Sequence, residues 1–356
     1  MKTARQAAER LMEGHNVTEG EVLLDLEGYK ISVKSNCEKL LEKLGVYFAH
    51  TLGHGSADCQ VVALDGPSPK MGINFTDWKR EAGKTGRKDA FYDLEDARLI
   101  HKVRTGMVFL QSQDYLIASG PSLSNDNQII NYINAQYMNH LQHNEALICH
   151  AAGLVANGKA LGMAGFSGGG KSTLMLHILA HDGVSYLTND RLFVQGKNAQ
   201  GIPKLPRINP GTMLHDENLI ALLPDERCAE LKNLPAHELW DLEEKYDVFV
   251  DDVYGEGKIV SQAPLDDFLI LNWKRDSLEP CKIEQVDLTQ HQDLLAAIMK
   301  SPGPFYQYSD GTFFNDDTEL ESAPYISALK DIKIYEASGK VDFEFATSYC
   351  LETLLK

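Results

Sequence analysis

The chain has 356 residues, of which 43% are hydrophobic and 24% are charged, which is ordinary for a globular protein with a large core. It carries 51 Asp and Glu against 34 Lys and Arg, a formal net charge of −17. This excess of negative charge argues against binding to nucleic acid and to anionic membrane surfaces, because both attract lysine and arginine.

The sequence also predicts a cytoplasmic protein. Residues 1–15 form an amphipathic pattern without the apolar run of a signal peptide. No stretch reaches the roughly 20 apolar residues that are needed to cross a bilayer. The six cysteines are scattered and form no C-x-x-C pair, so we expect reduced thiols rather than a disulfide or zinc framework.

Residues 1–120 predict a smaller α+β module that supports the rest of the chain or docks a substrate. Residues 22–33 alternate around Glu27 and Gly28, which favours a hairpin, and residues 99–118 favour a second hairpin that turns near residues 112–114. Residues 124–142 then form an amphipathic helix, whose apolar side we expect to pack on a nucleotide-binding layer. We place this helix in a second domain, residues 121–356.

Two charged stretches each allow two interpretations. Residues 79–88 form either a solvated loop or a contact for an acidic partner or nucleotide phosphates. Residues 247–257 form either a solvated acidic turn or a second metal-binding or substrate-facing loop. The charged residues concerned are Lys79, Arg80, Lys84, Arg87 and Lys88 in the first stretch, and Asp251 and Asp252 in the second.

A glycine-rich stretch fits the motif G-x-x-x-x-G-K-[ST] in every defined position. Glycines let the backbone turn its N–H groups inward around phosphate oxygens. The lysine then reaches the terminal phosphates, and the serine hydroxyl can complete a Mg²⁺ coordination sphere. The residues that we expect to bind nucleotide are Gly165, Ser167, Gly168, Gly169, Gly170, Lys171, Ser172 and Thr173.

The residues before this loop predict a hairpin that brings a histidine to it. Asn157-Gly158 between two apolar runs is a strong signal for a two-residue turn. The resulting register places Val155 opposite Ala160 and His150 opposite Gly165, at the mouth of the loop. His150 is then either a structural strand residue or a catalytic one.

The residues after the loop predict a return to the same edge of the sheet. Residues 171–182 give about 18 Å of helix and residues 184–189 about 20 Å of strand, so the two lengths match. A right-handed crossover then brings Asp190 beside the loop, at the carboxyl ends of adjacent strands. Asp190 is therefore a candidate metal ligand, with a polar turn residue as the alternative.

A proline-pinned loop at residues 204–211 carries Arg207. Its guanidinium could clamp a phosphate with two hydrogen bonds, or it could serve as a structural cap.

Residues 146–210 resemble the carboxyl-terminal catalytic domain of HPr kinase/phosphorylase, which is similar in fold to phosphoenolpyruvate carboxykinase. The chain looks most like the HPr-kinase-related proteins called HprK-related kinase B. The matching residues are His150, the loop at 165–173, and Asn189, Asp190 and Arg191. The resemblance implies a P-loop α/β fold with a mixed sheet, ATP and Mg²⁺ in the loop, and assembly into homo-oligomers. It also implies that an aspartate pair, assisted by the histidine, binds metal and deprotonates the accepting serine hydroxyl.

Two departures from the family limit what the resemblance implies. Asn189 replaces the first aspartate of the pair, and an amide cannot take a proton. The Glu-Ile-Arg-Gly-type loop of the family is replaced by residues 206–211, so the reverse reaction, phosphorolysis, is not expected.

These features favour an ATP- and Mg²⁺-dependent phosphotransferase acting on a hydroxyl group of a small protein or a small molecule. Lys171 stabilises the transferring phosphoryl group, Ser172 and Asp190 hold Mg²⁺, and His150 and Arg207 orient or activate the acceptor. A catalytically degenerate ATP-binding regulator is the alternative that Asn189 favours. A plain ATPase or GTPase is the third, although the guanine-reading Asn-Lys-x-Asp is absent from the sequence.

Overall fold

The structure is a computed structural model that describes residues 1–80, 86–166, 168–235, 238–239, 242 and 244–356. The chain divides into two compact units. The first unit comprises Met1–Ala146 and Ser301–Leu320, and the second comprises Leu147–Lys300 and Glu321–Lys356. The boundary therefore follows Ala146 rather than residue 120, and each unit takes residues from two stretches of the chain.

The first unit is an α/β unit built on one mixed sheet. The strands lie in the order β1-β2-β3-β8-β7-β6-β5-β4, and only the β2–β3 and β3–β8 pairs are parallel. Its described helices and strands are α1 Ala4–Met12, β1 Glu21–Leu26, β2 Tyr29–Ser35, α2 Glu38–Tyr47, β3 Cys59–Asp65, β4 Thr76–Asp77, β5 Asp89–Asp93, β6 Ala97–Lys102, β7 Met107–Ser112, β8 Leu116–Gly120 and α3 Asp126–His143.

Both predicted hairpins of this unit are confirmed. Strands β1 and β2 pair up to Leu26 and Tyr29 around Glu27 and Gly28, which both have positive φ. Strands β7 and β8 pair across a turn just after Ser112, and β6 extends the hairpin to a third strand.

Helix α3 packs on the first sheet and not on a nucleotide-binding layer, so that expectation was wrong. The Tyr132 hydroxyl donates to the Leu110 carbonyl at 2.5 Å, and the Gln136 amide donates to the Gln111 side chain at 2.9 Å. Both acceptors lie on β7. The apolar periodicity showed which side of α3 is buried, but it carried no information on the surface that buries it.

The second unit contains the phosphate-loop motif. Its described helices and strands are β9 Leu147–Cys149, β10 Ala151–Ala156, β11 Lys159–Gly165, α4 Lys171–Leu179, β12 Val184–Thr188, β13 Leu192–Gln195, β14 Asn198–Gly201, β15 Arg207–Ile208, α5 Pro210–Met213, α6 Glu217–Ile220, α7 Asp225–Lys232, β16 Tyr246–Asp247, α8 Val250–Tyr254, β17 Gln262–Leu271, β18 Lys282–Val286, α9 Leu295–Ile298, α10 Ser322–Leu329, β19 Lys333–Ser338 and α11 Phe343–Tyr349.

The sheet of the second unit is mixed, in the order β12-β10-β11-β17-β14-β13-β9, with β19 and β18 joined beyond β17. The predicted hairpin register is confirmed, since β10 and β11 pair from Ala156 and Lys159 to Ala151 and Ala164. Strand β12 is antiparallel to β10, and β10 is antiparallel to β11. The helix crossover therefore joins two parallel strands that are separated by β10, and not adjacent strands as expected.

This arrangement still brings the carboxyl ends of β11 and β12 to one edge of the sheet. The central strand β17 runs parallel to β11, and Phe268 and Ile270 on it belong to the buried core. Helix α10 contributes Tyr325 and Leu329 to that core, and the Tyr325 hydroxyl donates to the Ile148 carbonyl at 2.9 Å. Among the described residues, no helix has the length and apolarity required to span a membrane.

Candidate nucleotide site

The phosphate-loop motif lies between β11 and α4, as its sequence context predicted. Gly168 and Gly170 have φ of +78° and +81°, the left-handed region that glycine adopts without strain. The Gly169 N–H donates to the Phe166 carbonyl at 2.9 Å, which closes a turn inside the loop. Ser167, which we expected to bind nucleotide, lies outside the described residues. The loop therefore leads into the N-terminus of α4, where free backbone N–H groups favour an anion.

The two chemically active side chains of the loop both contact Asn189. The Lys171 ammonium donates to the Asn189 carbonyl at 2.6 Å, and Ser172 Oγ donates to Asn189 Oδ1 at 2.9 Å. Asn189 follows the last residue of β12, so the strand end supplies both acceptors. The residue that departs from the family pattern is thus the one that Lys171 and Ser172 contact.

Asp190 lies between a histidine and an arginine. Its carboxylate accepts from Arg191, and its Oδ1 lies 3.2 Å from His150 Nε2. Burial raises the pKa of the Asp190 carboxyl, but Arg191, His150 and Lys171 outweigh burial and hold this pKa well below its usual range. Asp190 is therefore a carboxylate at any physiological pH, which suits a metal ligand and not a general base.

His150 occupies the position between β9 and β10. Its backbone N–H donates to the Ile298 carbonyl at 2.7 Å, which holds the chain at this point. The hairpin register thus places His150 one residue beyond the last strand pair, Ala151 and Ala164, as expected. Its ring contacts Asp190, so the structure brings together two of the predicted catalytic residues.

Two lysines in this region have lowered pKa values. Burial lowers the pKa of Lys171 to about 8, although the charge of Asp190 opposes the shift. Burial likewise lowers the pKa of Lys204 to about 8, with Asp190 opposing and Arg191 and Arg207 adding to the shift. Both ammonium groups therefore lie in a poorly solvated region that carries several positive charges.

Lys204 is a candidate functional residue that no motif in the sequence points to. The Tyr186 hydroxyl donates to its backbone carbonyl at 2.6 Å and fixes the loop. Within the part of the chain that the structure describes, no hydrogen bond or ion pair involves its ammonium group. The sequence carries no local signal for this residue, because its burial depends on packing between distant segments.

Arg207 contacts the neighbouring strand β16. It lies on β15, which pairs with β16, and its Nε lies 3.1 Å from Asp247 Oδ1. The following helix α5 contacts the start of α4, since the Thr173 and Thr212 hydroxyls share a hydrogen bond of 3.1 Å. Arg207 is therefore engaged in an ion pair with Asp247, and the segment that follows it contacts α4.

The remaining charged stretches have contacts of their own among the described residues. Asp251 and Asp252 lie in the first turn of α8, and Asp251 accepts from the Lys258 backbone at 3.1 Å. In the first unit, Arg87 pairs with Asp77 at 2.6 Å, whereas Lys84 lies outside the described residues. No group of three or more His, Cys, Asp or Glu side chains among the described residues is arranged to hold a metal ion by itself.

The oxygen donors around the loop nevertheless fit Mg²⁺ together with nucleotide phosphates. Ser172 offers a hydroxyl, Asn189 an amide oxygen and Asp190 a carboxylate. Mg²⁺ prefers such oxygen ligands and takes only one or two carboxylates when phosphates complete its shell. A site with few protein carboxylates is therefore what a Mg²⁺–nucleotide complex requires.

Comparison with known proteins shows a distant structural likeness. No protein-family model matches the chain, and no curated protein matches it in sequence. Among solved structures, the chain is similar to the Hpr(Ser) kinase/phosphatase from Coxiella burnetii, with a TM-score of 0.30 and 9% identity over 58% of this chain and 90% of that chain. A likeness at this level does not establish a family, so the functional conclusion below depends on the residues of the site.

Proposed function

We propose that this chain is an ATP-dependent phosphotransferase with an HPr-kinase-like P-loop domain. Its acceptor is a hydroxyl group, and a serine of a small partner protein is our specific candidate. The observation that carries the proposal is the contact of Lys171 and Ser172 with Asn189, directly beside the carboxylate of Asp190. This combination supplies a phosphate-binding cation, a hydroxyl and a carboxylate at one edge of a sheet, which phosphoryl transfer requires.

Each of these residues has a separate role in the proposed reaction. The N–H groups at the start of α4 and the Lys171 ammonium bind the phosphates and stabilise the charge that develops on the transferring group. Ser172 and Asp190 would hold Mg²⁺, which would supply positive charge to offset that of the phosphates. Arg207 orients the acceptor or the terminal phosphate from the adjacent loop.

His150 takes the proton of the acceptor. With its Nε2 directed at Asp190, its Nδ1 remains available as the base. The bond between the γ-phosphorus and the bridging oxygen of ATP breaks, a bond between the acceptor oxygen and phosphorus forms, and the acceptor proton moves to His150. This assignment gives the chain a base although Asn189 replaces an aspartate.

Asn189 also supports a second candidate, an ATP-binding regulator without phosphoryl transfer. The two candidates are separated by incubating the purified protein with Mg²⁺ and ATP, with and without an extract of its own cells. We expect a phosphorylated product, found by mass, only with the extract. Tight ATP binding without any product would favour the regulator, and ATP hydrolysis that needs no extract would favour a plain ATPase.

A further inference from the structure

The backbone of the phosphate loop is held from outside the loop by an indole. Trp273 follows β17 and is 6% exposed. Its Nε1 donates to the Gly169 carbonyl at 2.6 Å, across 104 residues of sequence. A buried indole N–H needs a partner, and here the partner is a peptide group of the phosphate loop itself.

This hydrogen bond sets the direction of the next N–H group. The carbonyl of Gly169 and the N–H of Gly170 belong to one planar peptide, which is trans, so they point in opposite directions. Because the carbonyl is directed at Trp273, the Gly170 N–H is directed away from it. The Gly169 N–H donates to the Phe166 carbonyl inside the loop, whereas the Gly170 N–H has no backbone acceptor among the described residues and can donate to an anion.

A second aromatic ring packs against the same peptide. A Cβ on Gly170 would lie 2.6 Å from the ring of Phe343, so the ring occupies the space that a side chain at this position would need. Phe343 is the first residue of α11, and its ring is edge-on to Trp273 with centroids 5.4 Å apart. Trp273 and Phe343 together form what we call the aromatic clamp.

We propose that the aromatic clamp is a positioning device that holds the phosphate loop in its anion-binding conformation before a nucleotide arrives. The proposal rests on nucleotide binding at this loop, which is part of the proposed function, but not on phosphoryl transfer. A preformed loop binds more tightly because the cost of ordering it is met in the folded protein and not on binding. Since Trp273 contacts the loop directly, its fluorescence also reports occupancy of the loop.

The test uses Trp273→Phe, which keeps an aromatic ring but removes the donor, and Phe343→Leu. The matched control is Trp78→Phe, because Trp78 packs on Phe91 and Arg98 in the first unit. Affinities for Mg-ATP and Mg-ADP are measured by calorimetry. Amide hydrogen exchange of the peptide covering residues 165–175 and tryptophan emission are followed with and without Mg-ADP.

We expect Trp273→Phe to lower the affinity for Mg-ATP and for Mg-ADP about fivefold, because the variant lacks one hydrogen bond. We also expect faster exchange of the ligand-free loop peptide, with exchange elsewhere unchanged. The emission change on adding Mg-ADP should persist in Trp78→Phe and become smaller in Trp273→Phe, where Trp78 and Trp240 still emit. Phe343→Leu should likewise weaken both nucleotides.

If Trp273→Phe has the nucleotide affinity and the loop hydrogen exchange of the wild type, the proposed role of the aromatic clamp is wrong. If the wild-type protein binds nucleotide but transfers no phosphate, the proposed phosphotransferase function is wrong. The affinities and the loop hydrogen exchange of Trp273→Phe then still decide whether the aromatic clamp acts as proposed. If the wild-type protein binds no nucleotide, both proposals are wrong.

Discussion

Ser172 Oγ donates a hydrogen bond to Asn189 Oδ1 across 2.9 Å. Ser172 is the motif residue whose hydroxyl binds Mg²⁺ in phosphate loops, so its partner at the strand end lies next to the metal position that we propose. An amide oxygen is a neutral ligand, whereas an aspartate there would add a negative charge. The identity of residue 189 should therefore control the affinity for metal.

Asn189→Asp should strengthen Mg²⁺ binding to the protein–nucleotide complex several-fold, because a carboxylate replaces an amide oxygen beside Ser172. The measurement is the Mg²⁺ concentration that gives half-maximal ATP binding. Asn189→Ala is the control, since it removes the oxygen and should weaken Mg²⁺ binding. Equal Mg²⁺ dependence in all three proteins would show that residue 189 does not face the metal.

Nucleotide affinity should fall as the pH rises through about 8. The pKa values of Lys171 and Lys204 are lowered to about 8, so both ammonium groups lose their protons above this pH and attract phosphate less. Phosphate binding above pH 8 should therefore be coupled to proton uptake, which calorimetry in buffers of different ionisation enthalpy detects. An affinity that is constant from pH 6.5 to 9.5 would show that neither lysine contributes to phosphate binding.

The same two lysines should make the ligand-free protein more stable as the pH rises from about 8 toward 10.5. Their folded pKa values lie below the unfolded value of 10.5, so the unfolded chain binds more protons in this range. Stability and nucleotide affinity should thus change in opposite directions. Thermal unfolding of Lys171→Met and Lys204→Met beside the wild type isolates the contribution of each lysine.

Lys204→Met should weaken ATP binding about tenfold while leaving the protein as stable as the wild type or more stable. Lys204 is half-buried and its ammonium makes no hydrogen bond or ion pair with the described residues, so the charge costs free energy unless an anion binds beside it. Lys197→Met is the control, because Lys197 is exposed in the turn after β13. A parallel loss of stability and affinity would assign Lys204 a structural role only.

His150→Gln should reduce the rate of phosphoryl transfer by about 100-fold or more and leave ATP affinity nearly unchanged. The histidine ring contacts Asp190, which is not part of the loop, so we expect it to act on the acceptor rather than on the nucleotide. The measurement is single-turnover transfer together with equilibrium binding of ATP. Unchanged transfer would remove His150 from the mechanism.

The parts of the fold that were predicted correctly depend on local backbone geometry. Asn157 and Gly158 adopt φ of 52° and 74°, which a two-residue turn requires, and so the register of β10 and β11 could be read from sequence. The phosphate loop is likewise a contiguous motif flanked by a strand and a helix. The placement of His150 beside the loop could then be predicted from the hairpin register. The placement of Asp190 could be predicted from the matched lengths of the helix and the strand that follow the loop.

The parts that could not be predicted depend on contacts between distant segments. Trp273 and Gly169 are 104 positions apart, and no periodicity connects them. Strand β10 lies between β11 and β12 because a hairpin precedes the loop, yet strand order is not encoded in the length of a crossover. The lowered pKa of Lys204 likewise arises from burial within the folded unit and not from its neighbours in sequence.

Phosphoryl transfer from ATP tests the central claim most directly. The wild type, Lys171→Ala and Asp190→Asn are incubated with Mg²⁺, γ-labelled ATP and one extract of the protein's own cells, and label on acceptors is measured over time. We predict that the wild type labels an acceptor at a hydroxyl group and that both variants lose this labelling. Labelling that is equal in the wild type and in Lys171→Ala, or absent from both, would contradict the account.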